Sequence, residues 1–191
     1  MGKIVVTEYI SVDGVIEAPG GGEDFEHAGW TFSIERGEDG DRIKFDELLE
    51  AEVQLFGRTT YEGFAAAWPA MEDEPGFADL AKLINSMPKY VYSKTLKDPS
   101  WNGTTVLSGD LAEDVRKLKD EVDGVILVAG SAALVQALID VDLVDELRLM
   151  VFPVVLGSGK RLFGPSGKKS LRLTDARTVG DGIQILTYQR A

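Results

Sequence analysis

Two short stretches of this chain have residue types and spacing suited to holding an anion. The first is Leu55-Phe56-Gly57-Arg58-Thr59-Thr60-Tyr61-Glu62. An apolar, strand-like run ends at Gly57, where the backbone can turn, and a helical pattern opens at Arg58. The first amides of a helix have no partner inside it, and its dipole favours negative charge there. Arg58 adds a planar donor fork matched to phosphate. Thr59 and Thr60 add hydroxyls. The same pattern also suits a plain strand–turn–helix, with Thr59 as a cap and Arg58 on the surface. The second stretch is Val128-Ala129-Gly130-Ser131-Ala132-Ala133. A fully apolar run enters a glycine and a small-residue helix start, which lets a pyrophosphate approach the backbone. It is not a GxGxxG pattern, and helix packing accounts equally well for small residues. Together the two junctions could grip one dinucleotide at the C-terminal edge of a sheet.

The rest of the composition narrows what such a ligand would meet. The chain has 191 residues and a net charge of −12. An acidic surface repels phosphate backbones, so nucleic acid is not an expected partner. Any anionic ligand needs a local exception to that field. Cysteine is absent and His27 is the single histidine, which excludes disulfides, thiolate metal sites and a multi-histidine zinc site. The apolar runs fall well short of a membrane span. The start Met1-Gly2-Lys3-Ile4 enters a strand-like run without the layout of a signal peptide. The expectation is a cytoplasmic, metal-independent, single-domain protein over residues 1–191.

Elements alternate along the chain. Lys3–Val12 is rich in β-branched residues and reads as a strand. Ala18–Gly40 is polar and glycine-rich and reads as a long loop. Helical spacing predicts helices over Asp41–Ala51, Arg58–Ala67, Phe77–Asn85, Asp110–Glu121 and Ala132–Ile139. Strands are expected at Val53–Phe56, Lys89–Ser93, Thr104–Leu107, Val125–Val128 and Glu146–Leu156. Leu171–Val179 and Ile183–Gln189, broken at Gly180-Asp181-Gly182, read as a terminal hairpin. That order predicts an α/β fold with a mixed, mainly parallel sheet, helices on both faces and an antiparallel end.

GRTTYE after a short strand, KYVYS as the next strand and VILVAGSAAL further on resemble the cofactor-binding pattern of dihydrofolate reductases. VDELRL followed by PVVLGSGKRLF is similar to the C-terminal reductase domain of the bifunctional deaminase–reductase of riboflavin biosynthesis (the RibD C-terminal family) and to its free-standing relatives. The resemblance spans about residues 3 to 189. It implies a dihydrofolate-reductase-like three-layer α/β/α fold that binds NADPH and transfers hydride to a small, flat, heterocyclic substrate, pterin- or pyrimidine-like. Two alternatives stay open: a true 5-amino-6-(5-phosphoribosylamino)uracil reductase, and an NADPH-binding module without catalysis.

The resemblance also implies roles. Arg58, with Ser93 and Lys94 beside it, corresponds to the site of the adenosine 2′-phosphate. Gly57, Thr59 and Thr60 face the pyrophosphate from one side and Gly130, Ser131, Ala132 and Ala133 from the other. Backbone groups of Tyr9 and Ile16 correspond to those that meet the nicotinamide carboxamide. Counting back from Gly57 places Asp41 at the position of the bacterial folate enzymes' buried acid, the expected proton donor, although Asp41 also suits a helix cap. Trp30, Trp68 and Phe77 flank the implied substrate mouth, as stacking or as packing residues. Lys160 and Arg161 would meet a substrate phosphate or form a solvated turn. Met87 and Met150 stand where folate reductases carry an arginine and a threonine, which argues against dihydrofolate. Ala129 replaces the first glycine of a pair joined by a cis bond, so a cis Ala129–Gly130 peptide, costing roughly 3 kcal/mol, is expected. The long strand Glu146–Leu156 takes part in a homodimer in the reductase relatives, and a homodimer is expected here.

Overall fold

The computed structural model describes residues 1–165 and 167–191. The β-branched run at the start forms β1 (Lys3–Ser11), the strand around which the sheet is built. The sheet order is β4-β3-β2-β5-β1-β6-β8-β7, with β2 (Ala51–Gly57), β3 (Lys89–Tyr92), β4 (Thr104–Leu107), β5 (Val125–Ala129), β6 (Glu146–Phe152), β7 (Leu171–Val179) and β8 (Ile183–Arg190). Strands β1 to β6 pair in parallel. The β7–β8 hairpin then joins β6 antiparallel. This is the mixed sheet with a terminal hairpin that the element order predicts.

Alternation along β1 divides the core. Ile4, Val6 and Ile10 join Ile126, Val128 and Leu147 beneath α4 (Leu111–Glu121) and α5 (Ala132–Asp140). The other face is covered by α1 (Gly37–Glu50), α2 (Arg58–Ala67) and α3 (Ala78–Ser86), through residues such as Leu48, Tyr61 and Ile84 packed on Phe56 and Val91. Asp110 caps α4, its carboxylate accepting from the Glu113 amide at 3.1 Å.

Two boundaries differ from expectation by four residues. Helix α1 begins at Gly37 rather than Asp41, with Glu38 and Asp39 in its first turn, where acidic side chains suit the dipole. The loop before it also contains a 3-10 turn at Trp30–Ser33. Strand β6 stops at Phe152 rather than Leu156, because Pro153 has no N–H to give to a ladder. Strand β6 is moreover interior, flanked by β1 and β8, and the unpaired edge on that side is β7.

The registers create a notch. The β1–β5 ladder ends at Thr7↔Ala129, while the β1–β6 ladder runs on to Ser11↔Phe152. From Glu8 onward β1 lacks a neighbour on the β5 side, at the carboxyl ends of the parallel strands, where such sheets bind ligands. Helix α5, which leaves β5 at that notch, is seated by the fully buried Leu138. Leu138→Ala is expected to cost about 2–5 kcal/mol, read as a lower urea midpoint at unchanged slope.

Candidate functional site

Above the notch lies a cleft of about 470 Å³. The starts of α2 and α5 form one wall and are tied together: the Gly57 amide donates to Ser131 Oγ at 2.9 Å. The approach leaves no room for side chains. A Cβ on Gly57 would stand 3.1 Å from Ser131 Oγ, and one on Gly130 3.0 Å from Thr60 Cγ2. No side chain caps either helix, so their first amides face the cleft without side-chain acceptors.

The turn into α5 uses two left-handed residues, Gly130 with φ 66 and Ser131 with φ 68 and ψ 59. The expected cis Ala129–Gly130 peptide is corrected: no described peptide bond is cis. The paired left-handed residues make the turn with a trans bond. Such backbone is costly for serine, and the hydroxyl bond to Gly57 offsets part of that cost.

Gly57, Arg58, Thr59, Thr60, Gly130, Ser131, Ala132 and Ala133 all line the cleft, as do Tyr9 and Ile16. Arg58 sits at the rim, with Nε donating to Glu62 at 2.8 Å and one terminal nitrogen to Thr95 Oγ1 at 2.6 Å. Ser93 and Lys94 do not line the cleft. They belong to the turn that Arg58 reaches through Thr95, where Ser93 Oγ accepts from the Thr95 and Leu96 amides.

Of Trp30, Trp68 and Phe77, Trp68 lines the cleft, together with Phe64, the ring centroids 6.1 Å apart. Trp30 is a packing residue, buried edge-on against Phe152 and donating from Nε1 to Glu17 O. Phe77 precedes α3 and is 49% exposed. Neither lines the cleft. Asp41 is likewise corrected: it stands on the outer side of α1, its side chain 64% exposed, paired with Arg36 at 2.9 Å. Counting along the chain aligned its position but not its face.

Glu8 is the buried acid of the cleft, and sequence reasoning missed it. It is 4% exposed, lines the cleft, and its Oε1 has no hydrogen-bond partner. Burial pushes its carboxyl up to about 8, against the opposing pull of Lys44 and the Gly130 amide. The available signal was an acid inside an otherwise apolar central strand. On the opposite face of β1, Thr7 donates to Glu47 at 2.6 Å, and Lys44 donates to Thr7 and, at 3.1 Å, to Glu47.

The mouth is closed by a second tie. Asp13 accepts from Ser11 Oγ and from the Leu156 and Gly157 amides, and these bonds hold its carboxyl well below the usual range. Arg161 bonds back to Asp13. Lys160 lines the cleft and pairs with Glu17 at 2.7 Å. Both basic residues remain exposed to solvent, and their ion pairs also join the loop after β6 to the turn after β1.

Residues 2–185 match the model of the RibD C-terminal domain. The chain belongs to the RibD C-terminal domain family. YyaP, an uncharacterised protein of Bacillus subtilis (strain 168), is 31% identical over 187 residues, covering 97% of this chain and 94% of YyaP. A crystal structure of a Shewanella sp. PV-4 protein, provisionally assigned to riboflavin biosynthesis, superposes with a TM-score of 0.77 at 22% identity, covering 99% of both chains. Dihydrofolate reductase from Enterococcus faecalis, complexed with NADP(H) and RAB-propyl, has a TM-score of 0.56 at 15% identity over 98% of this chain and 96% of its own. At those identities the two structures establish the dihydrofolate-reductase-like fold of this family member.

The Glu8 shift has a stability consequence. The carboxyl leaves its proton near 4.5 in the unfolded chain but near 8 in the fold. Between those values the folded state binds the extra proton, so stability falls as pH rises through that window and is level on either side. Replacing the acid by Glu8→Gln is expected to flatten that slope, leaving the variant relatively more stable at pH 9 by on the order of a few kcal/mol, measured by urea unfolding at both ends of the window.

Proposed function

We propose that this RibD C-terminal family member is an NADPH-dependent reductase of a small, flat, heterocyclic substrate. One observation carries the reading: two helix starts without side-chain caps share a cleft wall and are held together by the 2.9 Å Gly57–Ser131 bond. A dinucleotide's pyrophosphate needs such a pair of amide clusters, since anions bind helix N-termini. The cleft's cations do not supply free charge instead. Lys44, Arg58 and Lys160 each already meet a carboxylate, from Glu47, Glu62 and Glu17.

The residues fit the cofactor. The starts of α2 and α5 would hold the pyrophosphate. Arg58, with Lys94 on the adjoining turn, would hold the 2′-phosphate. Its present partner Glu62 is an exposed neighbour one helical turn away, a weak pair that a phosphate can replace. Backbone groups of Tyr9 and Ile16 would orient the carboxamide, and the bound cofactor would supply the hydride. Trp68 and Phe64, which line the cleft, would offer ring faces to a flat substrate. The pairing of Lys160 with Glu17 and Glu23 favours an unphosphorylated substrate over the phosphoribosylamino-pyrimidine. The structural relative complexed with NADP(H) supports the choice of nucleotide.

A homodimer is part of the proposal, with its surface moved to the β7 edge, where Leu171 and Leu173 are exposed. Sedimentation equilibrium is expected to read twice the chain mass, and Leu173→Lys to lower it.

Fluorescence titration tests the cofactor reading. NADPH is expected to bind saturably, and more tightly than NADH. Arg58→Ala should weaken NADPH about tenfold or more, the worth of one charge-assisted phosphate contact, with NADH nearly unchanged. Equal losses for both would remove the 2′-phosphate role, and no saturable signal from either nucleotide would end the proposal.

A further inference from the structure

We infer that Glu8 is the proton donor of this reduction, because its carboxyl is buried in the lining of the cleft with one oxygen that no hydrogen bond satisfies. The inference rests on the reading of the cleft as a cofactor site. Reduction of a double bond needs a proton as well as a hydride, and Asp41 cannot give it from the outer side of α1. Among the described residues lining the cleft the remaining acids are Glu17 and Glu23, and both pair with Lys160 at the mouth.

The surroundings of Glu8 isolate it from other titrating groups. Its side chain points to the face of β1 that carries Val6 and Ile10. From the end of β5 and the start of α5 the Gly130 amide acts on it, and the residues that line the cleft there, 129–134, carry no ionisable side chain. Lys44 of α1 is the charge that acts on it, and Lys44 is tied to Thr7 and Glu47. Arg148 of β6 is committed to Glu50 and Glu146. Tyr9 points to the opposite face, beneath Arg36. Arg58 at the rim holds Glu62. A carboxyl so placed keeps its proton at neutral pH, as a general acid must.

The step balances. Bound NADPH would deliver a hydride, with both electrons, to the carbon of a carbon–nitrogen double bond in the substrate. The Glu8 O–H bond breaks, its electrons stay on the carboxylate, and the proton joins the nitrogen. Water at the mouth then returns a proton to Glu8. Oxidation would turn the neutral nicotinamide into a cation, and a positive ring near Glu8 would favour its carboxylate. Proton affinity at Glu8 is thus coupled to the redox state of the cofactor.

That coupling is measurable without a substrate. Dissociation constants for NADP⁺ and NADPH are read from about one pH unit below to one unit above 8. In the wild type NADP⁺ is expected to gain on NADPH by about fivefold or more across that range, a typical size for linked binding. In Glu8→Gln the ratio should not change with pH. A second readout uses only the wild type: calorimetry in two buffers of different ionisation enthalpy should show proton release near pH 8 on binding NADP⁺ but not NADPH. The two nucleotides share the 2′-phosphate, so it cancels. A pH-independent ratio in the wild type, an unchanged pH dependence in Glu8→Gln, or equal proton release for both nucleotides overturns the role of Glu8 with the cofactor site intact. Failure of both nucleotides to bind would instead end the cofactor reading itself.

Discussion

The hydrogen bond from the Gly57 amide to the Ser131 hydroxyl is the constraint around which the cleft is organised. It joins the beginnings of two helices that belong to different crossovers of the sheet. Its net free energy is on the order of 1 kcal/mol, so its importance is positional. It sets the distance between two clusters of helix amides, and it holds Ser131 in a left-handed conformation that a serine seldom adopts. The glycines on either side follow from it, since any Cβ at Gly57 or Gly130 would press on the opposite helix start. The sheet does the rest. Strand β5 ends at Ala129 while β1 continues, and the helix starts overhang the space this leaves.

Electrostatics then separates the cleft from the surface. The chain carries a net charge of −12, yet the proposed anion-binding wall is built from backbone dipoles and needs no excess of basic side chains. The three cations around the cleft are neutralised by carboxylates, which keeps the site from being a general phosphate trap. Glu8 is the exception to this pairing. Its burial opposes folding above its unfolded pKa, because the fold holds a proton that neutral water would remove.

The mouth of the cleft depends on a separate set of bonds. The turn after β1 and the loop after β6 are far apart in sequence, but Asp13 gathers the amides of Leu156 and Gly157, and the Ile16 amide donates to Lys160 O. The Asp13-Gly14 turn and the VLGSGKR segment are therefore two halves of one structure.

Much of the fold was legible in the sequence because its signals are local. The β-branched runs, the 3.6-residue spacing of Leu111, Val115 and Leu118, and the glycines at the ends of β2 and β5 each report on the few residues around them. The two helix starts could be named on that basis, and so could the order of strands and helices and the hairpin at the end. Which side chains share a space is another matter, since it depends on which face of an element meets which neighbour. Asp41 and Glu8 show the difference. Both are acids near an expected position, but one turn of α1 places Asp41 in water beside Arg36, and the alternation of β1 places Glu8 beneath α5. Trp30 and Phe77 were read by type, whereas only Trp68 has its ring turned to the cleft. Local pattern sets the elements, but burial and unmet hydrogen bonds arise only from long-range packing. The sequence by itself determined the two helix starts, after Gly57 and after Gly130. Tertiary structure decided that they touch, and that an unpaired carboxyl lies beneath them.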